Sequence, residues 1–447
     1  MPVGNLDIPG IGREVVMGVI WQSHMYAAAF IAGILVIASA CEYVGVLTKQ
    51  PRYDRFAKGA DTALILVFAT GSFIPIFGVL MLIALFPVFW SHLQNIFFWV
   101  LFAEAWAFVG QIVLIYAWYA SWEKLAFRKK LHVVLGFSAA MLVTLQFTLI
   151  NVVASYMLTP SVGVAPTDVA ATYMNPTFVP LNMHRFVGNI SFAGFVVAGF
   201  AGVRCLRSTR EEDREFFDWM GHWALVWGFG FLLLQPIIGF GYMKSIREQN
   251  TAAFDYIMLT DKSWLFNLLM IELAIMGVAS VAYCLHKIRF AVKPVPTLRN
   301  MTVGALWLMG LFSVLNVIPA DMDLVPQLGW VFFEGEETKI PLGAMYPWKY
   351  VGLIGLMLVG VFALALYLKA TAGGFHWGRA SRWSQYALIA TAVTVLATMI
   401  TMGYTRETAR RGAEPGYLIN GCITLEQKIV ASGCPEAPEK SIERGTF

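Results

Sequence analysis

From Val187 to Val203 the chain is apolar or small at every position except Asn189 and Ser191, a run long enough to cross a bilayer as one helix. A few residues inside its start, in Leu181-Asn182-Met183-His184-Arg185-Phe186, stand two ionisable side chains, His184 and Arg185. An ionisable group at membrane depth is costly, so it usually faces a bundle interior and marks a function. The plainer alternative is a capped helix end with His184 near the headgroups.

The rest of the chain repeats the constraint. Hydrophobic residues make up 58% of the 447 and charged residues 13%, with a mean hydropathy of +0.65, which excludes an ordinary soluble domain. Hydropathy predicts ten spans, near 17–47, 60–88, 95–122, 132–158, 178–203, 216–243, 263–286, 301–319, 346–368 and 383–404. The expected fold is therefore an all-α polytopic transmembrane bundle. The N-terminus lacks a basic segment leading into a short apolar run and a cleavage site, so the first span is expected to be kept. Loops after spans one, three, five, seven and nine carry nineteen lysines and arginines, and the opposite loops carry four. That asymmetry predicts both termini outside.

No repeat or low-complexity segment is visible. Gly373-Gly374 reads as a flexible joint, which suggests a nine-span body over 1–372 and an additional span with an external polar tail over 373–447. Cys41, Cys205 and Cys284 read as small apolar packing residues. In the tail, Cys422 and Cys434 are expected to form a disulfide, with two free thiols as the alternative.

The seven histidines sort by depth. His132, His222, His286 and His376 lie near the inner ends of spans and read as interfacial, and His92 begins span three at the outer surface. His24 and His184 remain, each about two turns into its span, or ~10 Å deep. Met270 in span seven sits at a similar depth, and so do Glu104 and Glu272. Imidazole and thioether are good ligands for haem iron. No Cys-x-x-Cys-His is present for covalent attachment through that signature. An arginine beside a ligating histidine suits a haem propionate. Methionine more often simply fills cores, and shared depth is what raises Met270 above the others. Glu104 follows the apolar run Phe98 to Ala103, where a desolvated carboxyl is suited to carrying protons. The alternative is a neutral carboxyl bonded to a neighbouring helix.

Taken in order, these runs resemble subunit I of cytochrome bd quinol oxidases. The resemblance is carried by Trp21-Gln22-Ser23-His24, by Phe68-Ala69-Thr70-Gly71 with Gly78 and Trp90-Ser91-His92, by Ala103-Glu104-Ala105, by Tyr156-Met157-Leu158-Thr159-Pro160, and by Met183-His184-Arg185. It implies haem b, one to three haems with haem d left open, with His184 and Met270 as ligands of a low-spin haem and Met276 as an alternative register. It also implies that His24 holds another haem, that Arg185 assists cofactor binding and that Glu104 serves a proton path. A second membrane subunit, quinol and a bacterial inner-membrane location are implied as well, and no nucleic acid.

The sequence departs from the family at several places. No carboxylate occurs at Leu311-Phe312-Ser313, where a haem-ligating glutamate is expected. Gln111 lies where a second acidic residue of helix three should be, and Asn316 to Asp321 replaces a Gly-Arg-Gln-Pro-Trp signature. The loop from Lys244 to Lys262 is short and lacks clear quinol-binding equivalents. Oxygen reduction is accordingly expected to be weak or to use a rearranged site. Two further functions fit the residues: a membrane cytochrome b passing electrons between the quinone pool and a periplasmic cytochrome, and a haem-free proton-coupled transporter.

Overall fold

A computed structural model describes residues 10–159, 173–293, 295–317, 347–410, 418–419 and 423–424. Among them are ten helical spans long and apolar enough to cross a membrane, as hydropathy predicts, so the chain is an all-α multi-pass membrane protein. In chain order the α-helices are α1 (Arg13–Thr48), α2 (Pro51–Gly71), α3 (Phe73–Leu85), α4 (Pro87–Ala120), α5 (Lys129–Tyr156), α6 (Phe178–Arg207), α7 (Glu211–Leu232), α8 (Gln235–Gln249), α9 (Thr251–Leu259), α10 (Trp264–Ile288), α11 (Pro296–Val317), α12 (Pro347–Ala372) and α13 (Arg382–Arg410). A two-residue antiparallel ladder joins Leu418–Ile419 to Ile423–Thr424. Cys422 and Cys434, with their expected disulfide, lie outside the described residues.

Two of the predicted spans are each built from two helices, and proline explains both breaks. Span two ends its first helix at Gly71, four residues before Pro75, and span six ends its first helix at Leu232, four residues before Pro236. Proline has no N–H for the carbonyl four residues back, and its ring crowds that carbonyl. The helix therefore stops there and restarts.

Two compact units emerge. The first holds residues 1–183, 245–256 and 406–447, and the second holds 184–244 and 257–405. This grouping follows contacts, whereas the 1–372 and 373–447 division concerns which span is additional. In the first unit α1 is the interior helix, with 61% of its apolar window buried, against 22% for the α2–α3 span. Away from the α1–α2 turn, Met17, Ile20, Phe86, Phe89, Phe97 and Tyr156 belong to one buried apolar cluster. The α4 face bearing Phe98, Trp99, Phe102 and Trp106 is exposed, as suits a surface solvated by lipid tails.

In the second unit α6 is the interior helix. Small residues let its backbone touch neighbours. A Cβ on Gly194 would collide with the backbone of Gly228 on α7, and one on Gly199 with Ala392 on α13. α13 turns a threonine seam inward, Thr391, Thr394, Thr398, Thr401 and Thr405, at alternating steps of three and four residues. Gly373-Gly374 is pinned rather than loose. Gly374 adopts φ +84, its carbonyl accepts from Val292 N–H at 2.9 Å, and His376 N–H donates to Phe290 O at 3.0 Å.

Candidate functional site

The candidate ligands of the second unit are placed by helix register. His184 comes six residues after Phe178 at the start of α6, and Met270 six residues after Trp264 at the start of α10. Each therefore lies about 9 Å into its helix. His184 is half-buried and faces α8, the second half of the broken span six. Gln235 Nε2 donates to the His184 carbonyl at 3.0 Å, and the rings of His184 and Tyr242 lie 5.9 Å apart at 39°. Opposite the imidazole stands Gly239, where a Cβ would lie 3.8 Å from both Cδ2 and Nε2. No side chain from that position stands against the ring. Pro236 breaks the span, and the restarted α8 delivers Gln235, Gly239 and Tyr242 to one face of α6.

Met270 is buried, at 5% exposure, and belongs to the packed side of α10. Met276, the alternative register, is buried as well. Arg185 is half-buried next to His184. Glu272, two residues beyond Met270, accepts a hydrogen bond from Thr401 Oγ1 at 2.8 Å, so the threonine seam of α13 holds this acid. Met270 and Glu272 are separated by about 200° around their helix.

In the first unit, His24 lies on α1 with the Trp21 ring 5.8 Å away and edge-on, and Gly78 of α3 makes room for the Trp21 indole. Glu104 on α4 accepts from Gln146 Nε2 of α5 at 2.8 Å. That bond ties the carboxyl to a neighbouring helix through Oε1. Each candidate acid is thus anchored by an amide or hydroxyl of another helix.

Two histidines depart from their expected place. His132 is fully buried, with Nδ1 2.6 Å from Glu42 Oε1 and Nε2 2.9 Å from Trp118 O. His222 is buried too, with Nδ1 2.7 Å from Tyr367 Oη. Both sit near helix ends, as their sequence positions imply, but packing covers those ends with aromatic rings. Sequence reasoning also missed the buried charges. Glu42 and Asp61 in the first unit, and Asp218, Lys287 and Lys349 in the second, are all buried. Lys287, counted with the loop charges, is in the last turn of α10 and paired with Asp218. Lys349 Nζ donates to Asn267 Oδ1 at 2.5 Å. The only available signal was a charged letter one or two turns inside an apolar run.

α11 contributes no carboxylate anywhere between Pro296 and Val317. Leu311 is exposed, Phe312 packs on Gly355, and Ser313 bonds the carbonyl of Met309 at 2.7 Å.

The sequence model of a family described as cytochrome bd terminal oxidase subunit I matches residues 14–433. Among solved structures, the bd oxidase of Geobacillus thermodenitrificans matches with a TM-score of 0.51 at 14% identity, covering 89% of this chain and 98% of that one. At that identity the likeness is one of fold. No curated protein matches the chain.

Proposed function

The chain belongs to the cytochrome bd terminal oxidase subunit I family, and on that premise we propose that it is the haem b-binding membrane subunit of a respiratory complex. In this reading it draws electrons from a donor outside the membrane, quinol, and passes them toward oxygen. A second membrane subunit completes the complex, both termini lie outside, and the membrane is the bacterial inner membrane. The last span, in 373–447, is an addition to a nine-span body.

The carrying observation is His184, six residues into the interior helix α6, its ring facing Gly239 on a helix that restarts at a proline break. The donor set fits the cofactor. A neutral imidazole and a thioether at equal helix depth suit a low-spin iron, and the Arg185 guanidinium suits a propionate. When bound, the haem supplies one-electron redox chemistry. This chain's residues would hold and orient it: His184 and Met270 as its iron ligands, Arg185 beside the first, and Gln235 fixing the His184 backbone through its carbonyl. His24 holds a further haem on α1, and Glu104 carries protons near it.

His184→Ala should remove one b-type signal from the reduced-minus-oxidised spectrum while the protein still inserts. An unchanged spectrum would refute the ligand assignment, and a haem-free wild type would favour the proton-coupled transporter.

One observation favours electron transfer without fast oxygen reduction, the second reading. The α11 segment lacks the carboxylate that a second closely spaced haem would need. Oxygen uptake by the purified complex with reduced quinol should therefore be slow. Fast, cyanide-tolerant uptake with a chlorin-type band would overturn that expectation.

A further inference from the structure

Asp61, in the middle of α2, takes no part in the site above. It is fully buried, and neither carboxylate oxygen has a hydrogen-bond partner among the described residues. A buried acid kept for structure normally has its oxygens satisfied. This one does not.

Its position follows from the α1–α2 register. Gly45 on α1 faces Tyr53 and Asp54 on α2, and Gly71 on α2 faces Ala27 on α1. Asp61 thus stands roughly 10 Å deeper than Asp54, opposite the α1 turn that carries Ser39. Ser39 Oγ is also buried without a partner among the described residues. On α4, Gln111 lies about 10 Å deeper than Trp118, level with Asp61, and its Oε1 is likewise unpartnered.

Between Asp61 and the surface lies a second buried group. His132 Nε2 meets a carbonyl, which can only accept, so that nitrogen carries its hydrogen. The remaining proton is then confined to the 2.6 Å gap between Nδ1 and Glu42 Oε1. Trp118 Nε1 donates to the other Glu42 oxygen at 3.2 Å. Lys129 Nζ lies 3.9 Å from Glu42 Oε1 and 3.2 Å from Asp54 Oδ2. The Lys129 and Asp54 side chains are 28% and 46% exposed, so this pair reaches solvent. Asp61 is near enough to Glu42 and His132 to feel both charges, and Cys41, next to Glu42 in the chain, is influenced by Asp54, Glu42 and Arg52.

We propose that Asp61 and the Glu42–His132 pair form a proton-exchange site opening beside the α1–α2 turn, on the side that bears the basic loops. A proton enters past Asp54 and Lys129 and is shared between Glu42 and His132. It then passes through intervening water to Asp61. There a new O–H bond forms as the bond at the pair breaks, and no electrons move. Asp61 holds the proton as a carboxylic acid and releases it deeper. The site stands without the haem reading; only the use of its protons for the oxidase reaction rests on that reading.

Infrared titration of the intact complex in liposomes tests it. A carboxylic-acid C=O band should be present at neutral pH, disappear on alkalinisation, be missing in Asp61→Asn and return at a shifted frequency in Asp61→Glu. The haem absorption spectrum should be the same in all three, which separates failure here from failure of the haem assignment. A band that persists in Asp61→Asn overturns the proposal. Should Asp61→Asn fail to insert, the wild type decides: a lipid-soluble carbodiimide, which attacks protonated carboxyls, should modify Asp61 in peptides mapped by mass spectrometry. An unmodified Asp61 overturns the proposal as well.

Discussion

Each unit buries an acid near a base, and the two arrangements are built to opposite ends. In the second unit Asp218 and Lys287 are fully buried and directly paired. Asp218 Oδ2 also accepts from Gly378 N–H at 3.0 Å, and the ammonium lies 4.7 Å from the Trp377 ring centroid. That pair fastens the turn after α12 to α7 and α10. In the first unit the acid Asp61 has no donor among the described residues, and the nearby Glu42–His132 contact leads outward to Lys129. The contrast separates two uses of buried charge. An acid in direct contact with its base fixes geometry; a carboxyl with neither oxygen bonded among the described residues, next to a shared proton, is placed to exchange one.

The largest test of this contrast is to remove one half of the direct pair. Lys287→Met alone leaves an uncompensated carboxylate and should cost about 3–5 kcal/mol. We expect little monodisperse protein after extraction, with recovery in the double variant Asp218→Leu, Lys287→Met. If the single variant purifies like wild type, the pair is no lock. Asp61→Asn should behave in the opposite way, changing stability by less than about 1 kcal/mol in either direction, since no partner among the described residues is orphaned. A loss comparable to that of Lys287→Met would mean that Asp61 has a structural partner.

The smallest effect is expected at the exposed pair Lys58 Nζ–Glu123 Oε1, 2.6 Å apart. The hydrogen bond from Lys58 holds the Glu123 carboxyl below its usual range. With the folded value depressed, the contribution is present above the ordinary carboxylate range and fades as the pH falls through the folded value. Solvent and salt screen it, so Lys58→Ala should leave the thermal midpoint unchanged at neutral pH and at acid pH alike. A clear acid-dependent loss would show that this surface pair matters more than its exposure implies.

Most of the architecture was legible in the sequence because lipid imposes one simple rule, an apolar run per crossing. The ten spans follow from it, and so does the shared depth of His184 and Met270, which needs only residue counting. The buried charges were not legible. Glu42 and His132 are 90 positions apart, and nothing in either local stretch names the other. Both come at the end of an apolar run, where the same letters normally meet water. Only the packing of Trp118 and Trp122 over the imidazole shows that this end is closed. Lys287 misled for the same reason: a lysine after an apolar run reads as a loop residue until Asp218 is seen beside it. The proline breaks were readable in principle, since Pro75 and Pro236 stand within apolar runs, but their consequence for His184 needed the fold.

On the proposed function, the close approach of Gly194 to Gly228 bears on electron transfer. A helix held backbone to backbone against its neighbour can neither slide nor roll when the charge on a group near its end changes. His184 is carried on that helix, so its imidazole is indexed by the whole length of α6 and not by a loop. In the proposed function, the His184 imidazole would be held in one place whatever the charge on the group it binds. Small rearrangement between oxidation states is what makes electron transfer fast. Two missing side chains, ten residues and more from the imidazole, set that condition.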